Sequence, residues 1–341
     1  MYNWLHRNWY EGGSSYWLLL PLTGLFWILV LLRRWLYRIG VLGSKQAVAP
    51  VIVIGNITTG GTGKTPLTIW LVQQLQAHGY SPGVVSRGYG GERSQTSMRV
   101  DSASDPAEVG DEPVLIAQRA ACPVVVDQDR CRAAEMLVAD GADVVIADDG
   151  LQHYRLARSY EICVVDGARG LGNGHLLPAG PLREPASRLN QVDQVLLNGS
   201  LQKADPVLSA VKQQAIEFSL QPAKALRLNG TAEKEIGDFA GTTVHGVAAI
   251  GNPQRFFDLL RAHGMQVIEH AFPDHAALSS EQLRFGDDFD VLMTEKDAVK
   301  LGDSLPDKYW SLPVELSIDS QRAESWMAEL VARLKTEEGT R

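Results

Sequence analysis

The stretch Thr58-Thr59-Gly60-Gly61-Thr62-Gly63-Lys64-Thr65 decides the fold of this chain. It follows the apolar run Val51–Ile54 and precedes Pro66–His78, where apolar residues recur at helical spacing. A glycine-rich turn between a strand and a helix lets several backbone N–H groups converge on a polyphosphate, and the helix dipole adds positive potential there. The sequence therefore predicts a phosphate-binding loop (P-loop), with all eight of these residues as ATP contacts.

Two side chains of the loop carry most of its predicted chemistry. The ammonium of Lys64 can reach the terminal phosphates, and the hydroxyl of Thr65 can ligate Mg²⁺. The standard pattern has glycine five positions before Gly63, where this chain has Thr58. A tight turn without a ligand would also use glycines, but the GGTGKT core between a strand and a helix favours phosphate binding.

The rest of the chain predicts an α/β fold. Short apolar runs alternate with helical stretches, a pattern typical of a mainly parallel sheet with helices on both faces, as in P-loop nucleotide-binding proteins. The runs expected to form its strands are Val51–Ile54, Gly83–Ser86, Pro123–Val126, Asp143–Ala147, Glu161–Val165 and Gln194–Leu197.

The alternation stops after residue 200 and restarts at Thr242 with an apolar strand, Gly251-Asn252-Pro253 and a helix. A second, smaller α/β unit is therefore expected, ending in a helix from about Arg322. The expected organisation is a membrane-associated helical segment over 1–45, a P-loop domain over 46–200, a connector over 201–241 and the smaller unit over 242–341.

Composition limits the classes of partner. The 341 residues carry a net charge of −8, which disfavours nucleic acid bound by bulk electrostatics. Residues 1–45 hold five basic side chains against one acidic, a net +4 that leaves −12 for the remainder. Cys122, Cys131 and Cys163 are odd in number and form no CxxC pair, so reduced thiols are expected rather than a disulfide framework or zinc site.

Residues Tyr16–Leu32 form an apolar run closed by Arg33 and Arg34. As a helix, 17 residues reach roughly 26 Å, slightly less than a bilayer's hydrocarbon core. The segment could span a membrane, lie in one leaflet, or be an unusually apolar core helix. Basic and aromatic residues after it suit the cytoplasmic headgroup zone, and no signal-peptide cleavage site follows.

A pair of carboxylates, Asp148 and Asp149, follows the apolar run Val144–Ala147. Ligands bind at the carboxyl ends of strands in doubly wound sheets. Asp148 is the candidate Mg²⁺ carboxylate, and Asp149 is either a second metal-side group or a residue that orients the loop. A plain turn, Asp-Asp-Gly150, is the alternative.

Two more residues are candidates for acid–base chemistry. Asp111 precedes a helix-like segment and could be its N-cap or a general base that accepts a proton from a substrate hydroxyl. His275 lies in a loop of the smaller unit and would matter only if that unit folds over the P-loop. The residues alone leave both alternatives open.

Two strand ends offer further ligand contacts. Arg87, within Ser86–Gly91, suits an anionic ligand, and Thr294–Asp297 could contact a nucleotide base or ribose. Both segments could equally be turns.

In this order, the motifs resemble those of the tetraacyldisaccharide 4'-kinase family of lipid A biosynthesis. The resemblance covers nearly the whole chain. It is carried by GNITTGGTGKTP at Gly55–Pro66, VVSRGYGG at Val84–Gly91, GDEPVLIAQR at Gly110–Arg119, DDGLQHYRL at Asp148–Leu156, GNGHLLPAGPLREP at Gly172–Pro185 and MTEKDAVK at Met293–Lys300.

The resemblance implies ATP-dependent phosphorylation of the 4'-hydroxyl of a tetraacyldisaccharide 1-phosphate, with Mg²⁺, at the cytoplasmic face of the inner membrane. It implies no nucleic acid and no obligate protein partner. Asp111 would be the base and His275 its orienting partner. Lys64, Thr65, Asp148 and Asp149 would serve phosphate and metal, while Arg87, Tyr89 and Glu184 are candidates for substrate contact.

Two other functions fit parts of the sequence. A membrane-bound ATPase switch that recruits a protein partner would share the GGTGKT core, but such switches carry a lysine where this chain has Thr59. A GTP-binding module would need Thr294–Asp297 as its guanine reader, and the spacing does not match.

Overall fold

The computed structural model describes residues 2–88, 96–203, 205–230, 232–301 and 305–338. Its helices are α1 (Tyr2–Tyr10), α2 (Leu20–Arg38), α3 (Lys64–Ala77), α4 (Pro106–Val109), α5 (Asp111–Ala120), α6 (Arg130–Ala139), α7 (Pro206–Val211), α8 (Pro253–Ala262), α9 (Glu295–Ala298) and α10 (Ser320–Glu338). Its strands are β1 (Val51–Gly55), β2 (Pro82–Ser86), β3 (Met98–Val100), β4 (Val124–Val126), β5 (Val144–Ala147), β6 (Tyr160–Asp166), β7 (Gln194–Asn198), β8 (Ile216–Pro222), β9 (Ala225–Arg227), β10 (Glu233–Lys234), β11 (Thr243–Ala248), β12 (Gln266–Ala271), β13 (Asp290–Thr294), β14 (Tyr309–Leu312) and β15 (Val314–Ile318).

The larger sheet has the strand order β15-β8-β7-β6-β1-β5-β2-β4-β3. The seven inner strands are parallel, and only the edge strands β15 and β3 are antiparallel to their neighbours. The central strand β1 lies between β5 and β6, so the chain order switches there. Ligands bind outside the carboxyl ends of strands at such a point, which is where the P-loop lies.

Both faces of this sheet are buried, as predicted. Ile52 and Ile54 of β1 face a core formed with α3, α5 and α10, whereas Val51 and Val53 face a second core that includes α6. The alternation follows from the two-residue period of a strand. A parallel P-loop-like sheet covered on both faces by helices is therefore confirmed.

The smaller sheet has the order β10-β9-β14-β13-β11-β12. Four of its strands, from β14 to β12, are parallel, and β9 and β10 add an antiparallel edge. Helix α8 covers it with the buried side chains of Phe256, Phe257 and Leu260. The second α/β unit is present.

Two segments lie elsewhere than the sequence placed them. Strand β8, from the supposed connector over 201–241, joins the larger sheet, and β15 with α10, assigned to the smaller unit, return to that sheet. In α10, Trp326 stacks on Trp70 of α3 with centroids 5.6 Å apart, and Leu330 is fully buried. Helical periodicity shows that a helix has an apolar face but not which sheet that face covers.

The amino-terminal segment is helical and largely exposed. The helical run from Ser15 to Arg38, 24 residues, is long and apolar enough to cross a membrane by length and composition. The exposed fractions of Leu25 and Ile28 are 57% and 58%, which excludes a buried core helix. On the other side of α2, Thr23 donates to Leu176 O at 3.3 Å and accepts from Ala179 N at 3.0 Å.

The placement of α10 can be tested by a cavity substitution. Leu330→Ala removes a fully buried side chain from the larger core and should lower the free energy of unfolding by about 2–5 kcal/mol. Glu324→Ala, an exposed change in the same helix, should stay within about 0.5 kcal/mol of the wild type. Urea unfolding followed by tryptophan fluorescence measures both, and equal midpoints would contradict the packing described.

Candidate active site

The P-loop conformation depends on its glycines. Gly60 and Gly63 have φ values of 98° and 95°, in the left-handed region that favours glycine, and α3 begins directly after at Lys64. A Cβ at Gly63 would lie 2.6 Å from the side-chain nitrogen of Asn198, which donates to Thr62 O at 3.0 Å. Position 63 therefore admits no side chain while Asn198 holds the loop.

The start of the loop is anchored from behind. Thr59 N donates to Pro181 O at 2.9 Å, and Arg183 N donates to Ile57 O at 2.7 Å. Thr58 is buried and bridges to Leu182, so it supports the loop, whereas the stretch from Thr59 to Pro66 lines the cavity. A buried β-bridge position needs no glycine, which explains why threonine replaces the glycine of the standard pattern.

Asp149 lies beside the P-loop at the carboxyl end of β5. Its carboxylate is 3.5 Å from Lys64 Nζ and 3.4 Å from Arg183 Nη1. Burial would raise the pKa of Asp149, but Lys64, Arg183 and Arg130 together lower it below its usual value. Asp149 is thus an anion held between the Lys64 ammonium and the Arg183 guanidinium.

Asp148 is in a different electrostatic state. It is almost fully buried, and Oδ1 accepts from the hydroxyl of Thr68 at 3.1 Å, whereas Oδ2 has no hydrogen-bond partner among the described residues. Burial, with the nearby charge of Glu112, raises the pKa of Asp148 to about 7. A buried, unpaired carboxylate oxygen beside a P-loop fits a divalent cation, since hard cations prefer oxygen ligands.

Asp111 and His275 meet across the two sheets. Asp111 is the first residue of α5, and His275 Nδ1 lies 3.0 Å from its Oδ1 and 3.2 Å from its Oδ2. Gly110 occupies the N-cap position, so Asp111 is not the cap of α5, although its Oδ1 also accepts from Glu112 N at 2.8 Å. His275 has a φ of 59°, a strained conformation typical of functional sites.

The pair has shifted proton affinities. Burial would raise the pKa of Asp111, but the hydrogen bond with His275 and the charges of Lys296, His275 and Lys300 lower it to about 2. Burial would lower the pKa of His275, but the hydrogen bond with Asp111 raises it above its usual value. Asp111 is therefore an anion at neutral pH, and His275 Nδ1–H donates to it.

Other polar contacts join the two units around this pair. Each contact connects a residue of the larger unit to a residue of the smaller unit. The cleft between the two units is therefore enclosed on both sides. They are Arg119–Glu295 at 2.7 Å, Lys296–Glu112 at 3.0 Å, Lys300–Asp111 at 3.3 Å, Arg169 to Gly251 O at 2.8 Å and Arg255 to Asn198 at 2.7 Å.

The segment Thr294–Asp297 is a capped helical turn. Thr294 Oγ1 accepts from Asp297 N at 3.2 Å, and the Asp297 carboxylate, with no exposed surface, accepts from Ala249 N at 2.9 Å. Thr294 and Asp297 therefore stabilise the turn. Glu295 and Lys296 line the cavity and pair with the larger unit.

The cavity between the units has a volume of about 1290 Å³. It extends from Phe26 and Val30 of α2, past the P-loop and Arg87, to His275 of the smaller unit. Asp111 lies directly behind the lining formed by Glu112 and His275. Tyr89 lies outside the described residues.

Glu184 contributes to the wall of this cavity, but its charge is balanced by protein groups. It is 1% exposed and accepts from Tyr154 Oη at 2.5 Å and from Gln152 Nε2 at 2.9 Å. The Nε atom of Arg188 lies 3.5 Å from Glu184 Oε2, and the Nε atom of Arg34, in α2, lies 3.9 Å from the same oxygen. The Glu184 carboxylate thereby connects α2 to the site.

Sequence reasoning did not single out several groups of the site. Arg183 and Arg130 surround Asp149, and Asn198 holds the P-loop. Asn198 ends β7 at the carboxyl edge of the parallel strands, the same signal that identified Asp148. Arg183 stands within the quoted motif at Gly172–Pro185, but nothing local indicates its partner.

The three cysteines carry no disulfide, as expected. Asp129, Cys131 and His153 have donor atoms within 4.8 Å of one another. However, Asp129 caps α6 through Cys131 N at 3.1 Å and pairs with Arg155 at 2.9 Å. These contacts account for the proximity of Asp129 and Cys131.

Comparisons with known proteins show which family this chain resembles. A family model described as tetraacyldisaccharide-1-P 4'-kinase matches residues 15–332. A tetraacyldisaccharide 4'-kinase of Nitrosococcus oceani is 49% identical over 313 residues, 92% of this chain and 90% of the relative. One from Alkalilimnicola ehrlichii is 50% identical over 314 residues, 92% of each chain. One from Methylobacillus flagellatus is 46% identical over 98% of each chain.

A solved structure shares the fold. It is described as the "apo" form of LpxK from Aquifex aeolicus in complex with ATP, and it superposes with a TM-score of 0.73 at 25% sequence identity. The match covers 94% of this chain and 99% of that one.

The opposite environments of the two adjacent aspartates predict opposite effects on stability. The raised pKa of Asp148 means that folding loses stability as the pH rises from about 4, where the unfolded carboxyl ionises, to about 7. Asp148→Asn should therefore raise the Tm of the nucleotide-free protein at pH 8, measured in EDTA, and this gain should vanish near pH 4.

Asp149→Asn is the matched control. Because the pKa of Asp149 is lowered in the folded protein, its ionised carboxylate stabilises the fold above about pH 4. This stabilisation is lost as the pH falls through the pKa of the folded state. The substitution should therefore lower Tm at pH 8. A shift of the same sign for both variants would refute the difference in environment.

Proposed function

The chain belongs to the tetraacyldisaccharide-1-P 4'-kinase family, and we propose that it carries out that family's reaction with Asp111 as the base and His275 as its orienting partner. The enzyme is an ATP-dependent lipid kinase that phosphorylates the 4'-hydroxyl of tetraacyldisaccharide 1-phosphate in lipid A biosynthesis. Family membership over residues 15–332 displaces the partner-recruiting ATPase and GTP-binding alternatives.

The hydrogen bond between Asp111 and His275 is the observation that supports these roles most strongly. In the reaction the 4'-oxygen bonds to the γ-phosphorus, the bond from that phosphorus to the β–γ bridging oxygen breaks, and ADP leaves. The hydroxyl proton passes to the Asp111 carboxylate, which His275 Nδ1–H holds at 3.0 Å. Asp111 lies directly behind the Glu112 and His275 side chains of the cavity lining, so the hydroxyl has to pass between them to reach it.

The P-loop groups balance charge on the phosphates. Lys64, with Asp149 3.5 Å away, is placed to approach the β- and γ-phosphates, and the backbone N–H groups from Gly60 onward cradle them. Thr65 and Asp148 would hold Mg²⁺, with Asp149 orienting the lysine beside it. When bound, the ion neutralises charge on the transferred group.

The cavity provides a route for a lipid substrate. It opens beside Phe26 and Val30 of α2, where acyl chains can remain in the bilayer, and leads to the P-loop. Arg87 on the cavity wall suits the anionic 1-phosphate, and Glu184 shapes the wall between them. Tyr89 remains a proposal from its motif.

We infer that α2 lies in one leaflet of the inner membrane, with the catalytic body on the cytoplasmic face. Thr23 contacts the 176–179 segment, while Arg33 of the same helix donates to Gln152 O at 3.2 Å. These contacts hold both halves of α2 against the body, which leaves only its outer face for lipid. The net positive amino-terminal segment suits anionic headgroups.

The two sheets also suggest the working units. We propose one unit that binds nucleotide on the larger sheet, including β15 and α10, and a smaller unit that carries His275 over the site.

The catalytic roles are tested by following γ-labelled phosphate from ATP into tetraacyldisaccharide 1-phosphate in detergent with Mg²⁺. Asp111→Asn removes the proton acceptor and should lower kcat by ~10²–10⁴, with little change in ATP affinity. Near-normal kcat in a folded variant would remove Asp111 from the mechanism.

Two controls accompany this measurement. Lys64→Ala removes the P-loop ammonium and leaves Asp111 in place. It should abolish phosphate transfer without unfolding the protein. Glu324→Ala, exposed on α10 and far from the described contacts, should transfer at the wild-type rate. No transfer by the wild-type protein, folded and with ATP bound, would count against the proposal as a whole.

The membrane-facing role of α2 has its own test. Leu25, Ile28 and Leu29 are more than half exposed, and changing all three to Gln should weaken binding to vesicles that contain anionic lipid. The apparent KM for lipid presented in vesicles should rise about tenfold or more, while the KM for ATP and turnover in detergent stay unchanged. The double variant Val48→Gln with Ile268→Gln is the control, and a parallel rise in both KM values would contradict the role.

A further inference from the structure

We propose that Lys300 is a positioning residue for Asp111, carried by the smaller unit into the site so that the base is correctly held only when the two units are closed. This inference rests on the proposed role of Asp111. Lys300 follows α9 in the turn after β13, and its Nζ lies 3.3 Å from Asp111 Oδ2. Its side chain is 8% exposed, so the pair is shielded from solvent.

Lys300 is rigidly held from its own side. Asp297 Oδ1 lies 2.9 Å from Lys300 Nζ, and the other oxygen of Asp297 accepts from Ala249 N at 2.9 Å and Thr294 Oγ1 at 2.6 Å. Asp297 has no exposed surface. The buried Asp297 carboxylate is held by the backbone at the end of β11 and by Thr294, the N-cap of α9. It thus fixes the Lys300 ammonium relative to the smaller sheet.

On the larger unit, the contacts of Asp111 divide between its two oxygens. Oδ1 accepts from the backbone N–H of Glu112 at 2.8 Å and faces His275 Nδ1 at 3.0 Å. Oδ2 faces Lys300 Nζ at 3.3 Å and the same His275 Nδ1 at 3.2 Å. The backbone contact belongs to α5, whereas His275 and Lys300 both come from the smaller unit, and together they set the rotation of the carboxyl group.

Lys296 has a different task, although it is close by. It lines the cavity and contacts Glu112 at 3.0 Å and Asp274 at 3.5 Å, and it lies 3.3 Å from His275 Nε2. The Lys300 ammonium instead lies between the Asp111 carboxylate and the buried Asp297 carboxylate, and it contacts both. Its position allows it to act on the base without contacting the substrate.

The charges that face Asp111 indicate how Lys300 would be detected. His275, Lys296 and Lys300 each favour the ionised carboxyl, while Glu112 and Asp274 contribute nearby negative charge that is paired with Lys296. Loss of Lys300 leaves Asp111 more basic but less well placed. A misplaced reacting group can cost about 10²-fold in rate.

The test is Lys300→Met in the labelled-phosphate assay at pH 8. We expect kcat to fall by roughly 10- to 100-fold while the KM for ATP stays at the wild-type value, because Lys300 contacts the Asp111 carboxylate and does not line the cavity. A kcat equal to or above that of the wild type, or a loss that appears in the KM for ATP instead of kcat, would overturn the inference. Lys300→Gln, which keeps a polar group beside Asp297, replaces the first variant if that one does not fold.

A double-substitution cycle separates positioning from general destabilisation. In the Asp111→Asn background, Lys300→Met should reduce kcat no further, because the group that it positions is already absent. Additive losses would indicate a structural role alone and would refute the inference. Lys224→Met, an exposed lysine on the smaller unit, controls for loss of charge.

The same cycle separates this inference from the proposed function. If Asp111→Asn is nearly inactive while Lys300→Met behaves as the wild type, only the role of Lys300 fails. If Asp111→Asn itself retains normal kcat, the assignment of the base fails, and the inference fails with it.

Discussion

Charge balance in the cleft between the two sheets is the constraint on which the rest of this structure depends. Asp111 is held as an anion in a site largely withdrawn from water, where an unpaired ion would cost several kcal/mol, and Asp149 is held as an anion at the partly exposed end of β5. Each is matched by cations: Lys64 and Arg183 for Asp149, and Lys300 with His275 for Asp111. Asp148 is the exception: burial and the nearby charge of Glu112 raise its pKa, and its Oδ2 has no hydrogen-bond partner among the described residues.

This balance explains why the enzyme needs two units. Within the described part of the chain, the cations that contact the Asp111 carboxylate come from the smaller unit, whereas those around Asp149 come from the larger one. The proposed base and the proposed phosphate site are therefore held by different parts of the chain. Movement of one unit relative to the other would change the contacts of Asp111 and leave those of the P-loop intact.

The amino-terminal helix is joined to the same network. Arg34 lies 3.9 Å from Glu184, which in turn accepts from Tyr154 and Gln152 on the cavity wall. Tyr10 of α1 contacts the carbonyl of Thr59 at 3.4 Å, at the start of the P-loop. The amino-terminal helices are thus in hydrogen-bond and ionic contact with the P-loop and the cavity wall.

The sequence by itself determined the parallel sheet, the P-loop and the carboxylate pair after β5, because strand periodicity, glycine conformation and strand-end position are local properties. It also identified Asp111 and His275, but only the family resemblance gave them a joint role. Tertiary structure alone decided that they lie 3.0 Å apart, that α10 returns to the larger sheet, and that Lys300 reaches Asp111. These depend on contacts between residues far apart in the chain, whose pairing no local pattern specifies.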